Sequence, residues 1–253
     1  MKISVITATY NSAETLADCL DSIRAQTHPD IEHVVIDGAS QDGTMALLKS
    51  CGSAIAVLVS EPDMGIYDAL NKGIALASGD VVGFLHSDDF YPAPEILRQV
   101  AQAFADPSVQ AVYGDLEYVS KLQVGRVIRR WKAGPYSRRE LAWGWMPPHP
   151  TLFVRRELYS QIGGFDLQFS IAADYHSVLR LFTVPGFRAV YLPLVMVKMR
   201  VGGASNRSLS NILRKSRQDL RALRLTGVGG VMSLVAKNLR KLPQFFGRAS
   251  QSS

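Results

Sequence analysis

The chain has 253 residues, 47% of them hydrophobic, which is enough to bury the core of one large α/β domain or of one domain with a small appendage. No stretch of about 20 apolar residues is present, and the two cysteines, Cys19 and Cys51, fit neither a disulfide framework nor a metal-binding spacing. The net charge of +6 is uneven: residues 201–253 hold ten Lys/Arg and one acid, Asp219, whereas the first 200 residues hold 18 basic and 21 acidic side chains.

The start, "MKISVITATYN", has one Lys and a short apolar run, so it makes a poor signal peptide, and a reducing compartment is expected. "ISVITA" (3–8) reads as a buried strand stopped by "TYNS". Residues 14–25 place Leu16, Cys19, Leu20 and Ile23 at helical spacing. "HVVID" (33–37) is a second strand, "GASQDGT" its turn, "TMALLKS" a helix and "AIAVLVS" (54–60) a third strand. "GIYDALNKGIALA" (65–77) reads as a helix with Ile66, Leu70, Ile74 and Ala77 on one face, and "VVGFL" as a fourth strand. Apolar strands alternating with helices predict a mostly parallel sheet covered on both faces.

Beyond residue 90 the pattern changes. A helix is expected over 95–105, two strands in "VQAVYGDLEYVS" and "VGRVIRRW", and then an aromatic, Pro-rich loop, "WGWMPPHP". "TLFVRRELYSQIGGFD" joins a strand to a short helix, 172–182 is a helix, and "RAVYLPLVMVKMR" holds one or two strands. Residues 208–225 form a basic amphipathic helix whose apolar face includes Leu209, Ile212, Leu213, Leu220 and Leu223. A further apolar, basic segment follows. The implied division is 1–205 as an α/β domain, with halves at 1–90 and 91–205, and 206–253 as a basic helical tail.

In an open α/β sheet, ligands bind beyond the carboxyl ends of the strands. Four polar clusters fall there: Thr7 to Asn11, Asp37-Gly38, Glu61-Pro62-Asp63, and His86-Ser87-Asp88-Asp89. Carboxylates gathered on one edge raise one another's pKa unless a cation compensates, and hard oxygen ligands suit Mg²⁺ or Mn²⁺ bridging to phosphates. Neither GxGxxG nor GxxxxGK[ST] occurs in the sheet, which argues against a dinucleotide dehydrogenase and a P-loop NTPase.

"SVITATYNSAETLADCLDSIRAQTHPDIEHVVIDGASQDGT" resembles the opening of the family 2 glycosyltransferases, which have the GT-A type fold. "SEPDMGIYDALNKGIALASGDVVGFLHSDD" and "GGFDLQFSIAADYHSVLRL" extend the resemblance over residues 1–205, toward a bacterial subset that makes polysaccharides and glycolipids. It implies inverting transfer of a sugar from a nucleotide diphosphate donor, UDP first, to the hydroxyl of a glycan or lipid-linked acceptor. By position, Thr7, Thr9 and Tyr10 would line the nucleobase and ribose, and Asp37 would bond the base. Asp88 would contact the ribose or the metal's water shell, and Asp89 would ligate Mn²⁺ or Mg²⁺. Asp174, at a helix start that favours an ionised carboxylate, would be the general base. One departure is His86, which stands at the first position of the Asp-x-Asp pattern common in this fold. It is either a second ligand or part of the pocket lining.

Several of these residues also have plainer readings. Asp37 suits a turn, Asp63 is a site residue or a turn residue, and Lys72 and Asn71 lie on a helix facing the donor, where Lys72 reaches a phosphate or only solvent. Trp143, Trp145 and His149 are acceptor contacts or core. Arg200 with Gly202 and Gly203 reads as a loop that closes over the diphosphate.

The tail suits an anionic membrane surface, giving a cytoplasmic, peripheral protein of the inner membrane. The alternative is a hairpin packed on the catalytic domain or across a homodimer. It carries no recognisable nucleic-acid reader. Among other functions, a nucleotidyltransferase would need a Gly-rich basic N-terminal loop that "TATYNSAE" lacks. Asp37, Asp89 and Asp174 speak against a non-catalytic sugar-nucleotide-binding relative.

Overall fold

The computed structural model describes residues 1–201 and 209–240. Among the described residues nine strands form one sheet: β1 (Ile3–Thr9), β2 (Ile31–Asp37), β3 (Val57–Ser60), β4 (Val81–Phe84), β5 (Asp89–Phe90), β6 (Ala111–Val119), β7 (Val127–Trp131), β8 (Phe153–Arg155) and β9 (Ala189–Arg200). Their order is β3-β2-β1-β4-β8-β6-β9-β5, with β7 paired to β6. The first four strands are parallel; β8 then runs antiparallel to both β4 and β6, and β9 parallel to β6. The sheet is therefore mixed and mostly parallel on its N-terminal side, as expected.

Alternation along β1 divides the core. Ile3 and Val5 pack toward α1 (Leu16–Arg24) and α4 (Ile96–Ala103), with Cys19, Ile23, Leu97 and Val100. Ile6 and Ala8 face the opposite layer, where α3 (Ile66–Leu76), α6 (Arg156–Ile162) and α7 (Ala173–Phe182) contribute Leu70, Leu158, Tyr175 and Val178. A smaller cluster of Leu16, Leu20, Val35 and Leu48 seats α2 (Thr44–Ser50). Gly73 lets α3 approach the sheet closely, since a Cβ there would lie 2.4 Å from Ile6 Cγ2.

Two elements differ in length or regularity from expectation. The third strand begins only at Val57, because Gly52–Ala54 turn as a 3₁₀ segment with Gly52 at φ 55°. "RAVYLPLVMVKMR" is one strand of 12 residues, carrying a register shift against β6 around Gly114, near an exposed Pro193 that has no N–H to donate.

Beyond α5 (Arg138–Ala142) and the strands, α8 (Leu209–Leu225) and α9 (Val231–Leu239) make a hairpin. Its inner side carries Ala222 and Leu223 into the main core. Of the apolar face expected for α8, Leu223 is buried, whereas Ile212 and Leu213 are exposed. The Leu209 side chain, Gly202, Gly203, Arg207 and everything after residue 240 lie outside the described residues. No helix among the described residues is long and apolar enough to cross a membrane.

Candidate active site

The loops after β1, β2 and β3 are laced into one rim. The Asn11 amide donates to Ser40 Oγ (2.8 Å), Gln41 N–H donates to Asn11 Oδ1 (2.8 Å), and Ser12 N–H donates to Thr44 Oγ1 (2.8 Å). Asn11 and Ala39 hold positive φ values, 48° and 60°, an uncommon conformation for residues with a Cβ and one that clusters at functional sites. Asp37 is buried and accepts from Ser40 N–H (3.0 Å), Ser40 Oγ (2.5 Å) and Ser60 Oγ (2.6 Å). It shapes the turn, with three of its roughly four acceptor sites taken within the protein. Tyr10, Gly38 and Asp63 meet beside this turn. Tyr10 is 62% exposed. A Cβ on Gly38 would lie 2.7 Å from Asp63 Oδ2 and 3.4 Å from Tyr10 Cδ2.

Thr7 is placed elsewhere than expected. Its position in the strand turns it to the α1 side, where Oγ1 sits 3.1 Å from His33 Nε2, so it is a core residue and does not line the nucleobase site. Thr9, on the same face, is buried, and its hydroxyl has no partner among the described residues.

At the end of β4 the adjacent carboxylates separate. Asp88 is half-buried, whereas Asp89 is sealed, and neither of its oxygens has a hydrogen-bond partner among the described residues. β5 begins at Asp89, against α1 and β9, so this side chain enters the layer that holds Cys19. Burial, with the neighbouring Asp88 charge, pushes its pKa well above the carboxylate range. The carboxylate expected to ligate the metal, Asp89, is sealed from solvent, and Asp88 is the more exposed of the two. His86 is half-buried with Nδ1 sealed, and burial lowers its pKa although the Asp88 and Asp174 charges oppose this.

Arg200 is 5% exposed. It donates to the Asp88 carbonyl (2.7 Å), pairs with Asp18 and lies over the Phe90 ring. It braces the turn that carries Asp88, which replaces the expected closure over a diphosphate.

Asp174 sits in the first turn of α7, where the helix dipole favours an anion. Burial raises its pKa, but the Lys215 charge, the His149 charge at the low pH where that ring is protonated, the Lys237 charge and the Tyr175 N–H outweigh this and hold it below the usual range. Tyr67 Oη donates to the Ile171 carbonyl (2.9 Å) and to Asp174 Oδ1 (3.3 Å). His149 stacks on Phe84 at 5.2 Å and on His86 at 6.3 Å, and burial lowers it to about 4, so it is neutral near pH 7. His86, Asp88, His149 and Asp174 thus form one electrostatic cluster beyond β4.

The other candidates serve the frame. Asn71 clamps Phe165 through both its amide atoms, donating from Nδ2 (2.9 Å) and accepting at Oδ1 (2.8 Å), so it fixes the Gly163–Gly164 turn and is not turned to a donor. Lys72 pairs with Glu61 (2.7 Å) and Asp68 (3.4 Å) on the rim. Trp145 is core, 7% exposed, its indole donating to the Ala133 carbonyl (2.7 Å); Trp143 is 49% exposed. Tyr67 and Gln218 were missed. Tyr67 stands four residues before Asn71 on the same helix face, a spacing that could have pointed to it. Gln218 carries no local signal at all.

Loops carrying Tyr10 and a cluster of titratable side chains at the carboxyl ends of parallel strands, with Asp174 at a helix start, fit a glycosyltransferase of the GT-A fold. The chain belongs to glycosyl transferase family 2, whose family model matches residues 4–163. An uncharacterized glycosyltransferase of Mycobacterium tuberculosis is 40% identical over 181 residues, covering 70% of this chain and 68% of its own. A PGL/p-HBAD biosynthesis glycosyltransferase of Mycobacterium bovis is 32% identical over 208 residues, covering 80% and 78%. Among solved structures, S. aureus TarS 1–349 superposes with a TM-score of 0.69 at 18% identity, covering 96% of this chain and 72% of that one. The mannosyltransferase PcManGT of Pyrobaculum calidifontis, in complex with GDP-Man and Mn²⁺, gives 0.66 at 23%, covering 96% and 70%. A longer TarS chain is spanned only over 39% of its length. At these identities the structures speak for the fold.

Proposed function

We propose that this glycosyltransferase inverts the anomeric centre as it moves a sugar from a nucleotide diphosphate, UDP first, to a hydroxyl of a lipid-linked or cell-surface glycan precursor. The observation that carries this is Asp174, a half-buried carboxylate kept ionised at a helix start, within electrostatic reach of the cluster beyond β4. Asp174 takes the proton of the acceptor hydroxyl. The acceptor oxygen bonds to the anomeric carbon as the bond from that carbon to the diphosphate oxygen breaks, and the electron pair leaves with the nucleotide diphosphate. Attack from the face opposite the leaving group inverts the centre. Tyr10 stacks on the base, Asp63 and the Gly38 backbone border it, and Asp37 keeps the turn in shape. Structural neighbours are described in complex with UDP, UDP-GlcNAc and GDP-Man, which supports a nucleotide-sugar donor.

Among the described residues no three His, Cys, Asp or Glu side chains converge to hold a metal ion. The fit for Mn²⁺ or Mg²⁺ is therefore a shared one: Asp88, half-exposed, with His86 nearby, would hold it together with donor phosphate oxygens. When bound, such an ion neutralises charge on the diphosphate.

Residues 1–205 are read as the catalytic domain, and the described part of the basic 206–253 segment, α8 and α9, is a hairpin packed on that domain through Ala222 and Leu223. The outer side of α8 and α9 combines Arg214, Arg217 and Arg224 with exposed Leu213, Leu225 and Met232. That composition suits the cytoplasmic face of an anionic membrane, better than a second copy of this equally basic surface.

Asp174→Asn tests the core of this reading. Turnover should fall by about 10²–10⁴-fold, the range of general-base catalysis, with donor affinity retained. Transfer at the unaltered rate would remove Asp174 from the mechanism.

A further inference from the structure

The helix that carries Asp174 begins without a side-chain cap of its own: its N-cap position is Ala172. The N–H groups entering it are met from far along the chain. Gln218 of α8 accepts from Ile171 N–H (3.0 Å) and Ala172 N–H (3.1 Å) on one oxygen, and its amide nitrogen donates to Ser170 Oγ (2.9 Å). Ile171 is thus held at both ends, its N–H by Gln218 and its carbonyl by Tyr67, which also reaches Asp174. The helix bearing Gln218 is fixed in turn. Asp219 pairs with Lys237 of α9 at 2.7 Å, both side chains sealed from solvent, and Lys237 Nζ lies 3.2 Å from the Tyr175 ring centroid.

We propose that Gln218 is a positioning residue for Asp174: the C-terminal hairpin clasps the entry to α7 and so fixes where the base stands. This rests on Asp174 being the base. Without the Gln218 oxygen two N–H groups lose their acceptor, and the 170–172 turn gains freedom that passes directly to a carboxylate three residues on. The ionisable groups that interact with Asp174 include Tyr67 from α3, His86 after β4, Tyr118 from β6, His149 before β8, Lys215 from α8 and Lys237 from α9. Gln218→Glu keeps an acceptor for both N–H groups but sets a negative charge close to Asp174, which raises the pKa of the base.

The test uses the full chain and hydrolysis of whichever of UDP-glucose, UDP-N-acetylglucosamine and GDP-mannose the unaltered protein turns over fastest with Mn²⁺. Gln218→Leu should lower kcat about 10–100-fold, as expected for a misplacement near 1 Å, with donor KM within about twofold. Its Ile171 and Ala172 amides should exchange hydrogen about tenfold faster or more. Gln218→Glu should restore most of the plateau rate and move the acidic limb of the pH profile upward. Unchanged kcat or unchanged exchange in Gln218→Leu overturns the proposal, as does a Gln218→Glu variant no better than Leu. Should Gln218→Leu not fold, Gln218→Glu decides alone: a lost plateau or an unmoved acidic limb overturns it. Asp174→Asn separates the two readings. If it stays active, the base assignment fails; if it is inactive while Gln218→Leu is not, only the clasp fails.

Discussion

The two sides of the active site are built differently. On the donor side, β1 to β4 deliver loops to one edge, and neighbouring loops bond one another directly, as Asn11 does with Ser40 and Gln41. On the base side, Asp174 depends on partners from α3, from the turn at His149 and from the C-terminal hairpin, none of them adjacent in sequence. A parallel sheet edge assembles a site from short-range parts. A helix start standing opposite it must be held by long-range packing.

Substitutions can sharpen that contrast. After Asp174→Asn, the largest effect is expected at the donor edge, where Asp88→Asn should reduce metal-dependent turnover by roughly 10²–10³-fold, the scale for loss of one charge-stabilising group. Asp89→Asn, nearly isosteric at a sealed site, should keep most of it. Kinetics with Mn²⁺ titration would compare them, and equal loss in both would return the metal to Asp89. On the base side, Lys237→Met leaves Asp219 buried without its nearest cation. Stability should drop by about 3 kcal/mol, the low end for a broken buried pair, because Lys215 lies 3.7 Å away. Urea unfolding measures this.

A smaller effect concerns Glu32, at the amino end of β2, opposite the donor edge. Burial pushes its carboxyl up, but the hydroxyls of Ser4 and Ser78, the Ser78 N–H and Lys2 pull it down to about 2. The folded pKa lies below the unfolded one, so this stabilisation is present above the ordinary carboxylate pKa and is lost as pH falls toward 2. Glu32→Gln should flatten the loss of Tm in that window and leave the curve near neutrality parallel to that of the unaltered protein. The smallest effect is at the outer face of the hairpin. Arg224→Gln should weaken sedimentation with phosphatidylserine vesicles by about 1 kcal/mol, or roughly fivefold. A full chain that stays in the supernatant with such vesicles ends the membrane reading.

The same contrast governs what could be read from the sequence. Apolar runs and helical spacing were enough for β1 to β4 and their helices, because local periodicity reports which face is buried. Parity was the weak point. Thr7 and Ala8 both end an apolar strand, and only the packed sheet shows that Thr7 turns to His33. Asp88 and Asp89 must diverge in a strand, but a turn between β4 and β5 resets the count, so sequence alone cannot tell which one is the more exposed. Trp143 and Trp145 pose the same problem two residues apart. Gln218 is beyond any local signal, since its bond to Ile171 spans 47 residues.

That span also orders events in time. With synthesis at about 5–20 residues per second and N-terminal segments folding first, the entry to α7 exists for roughly 2–9 s before Gln218 is made. A newborn chain therefore owns its nucleotide edge before its base is clasped, a lag that separate clocks for donor binding and turnover during translation would register. On the proposed clasp, sugar transfer is a late acquisition in the life of each molecule, complete only once α8 has been made.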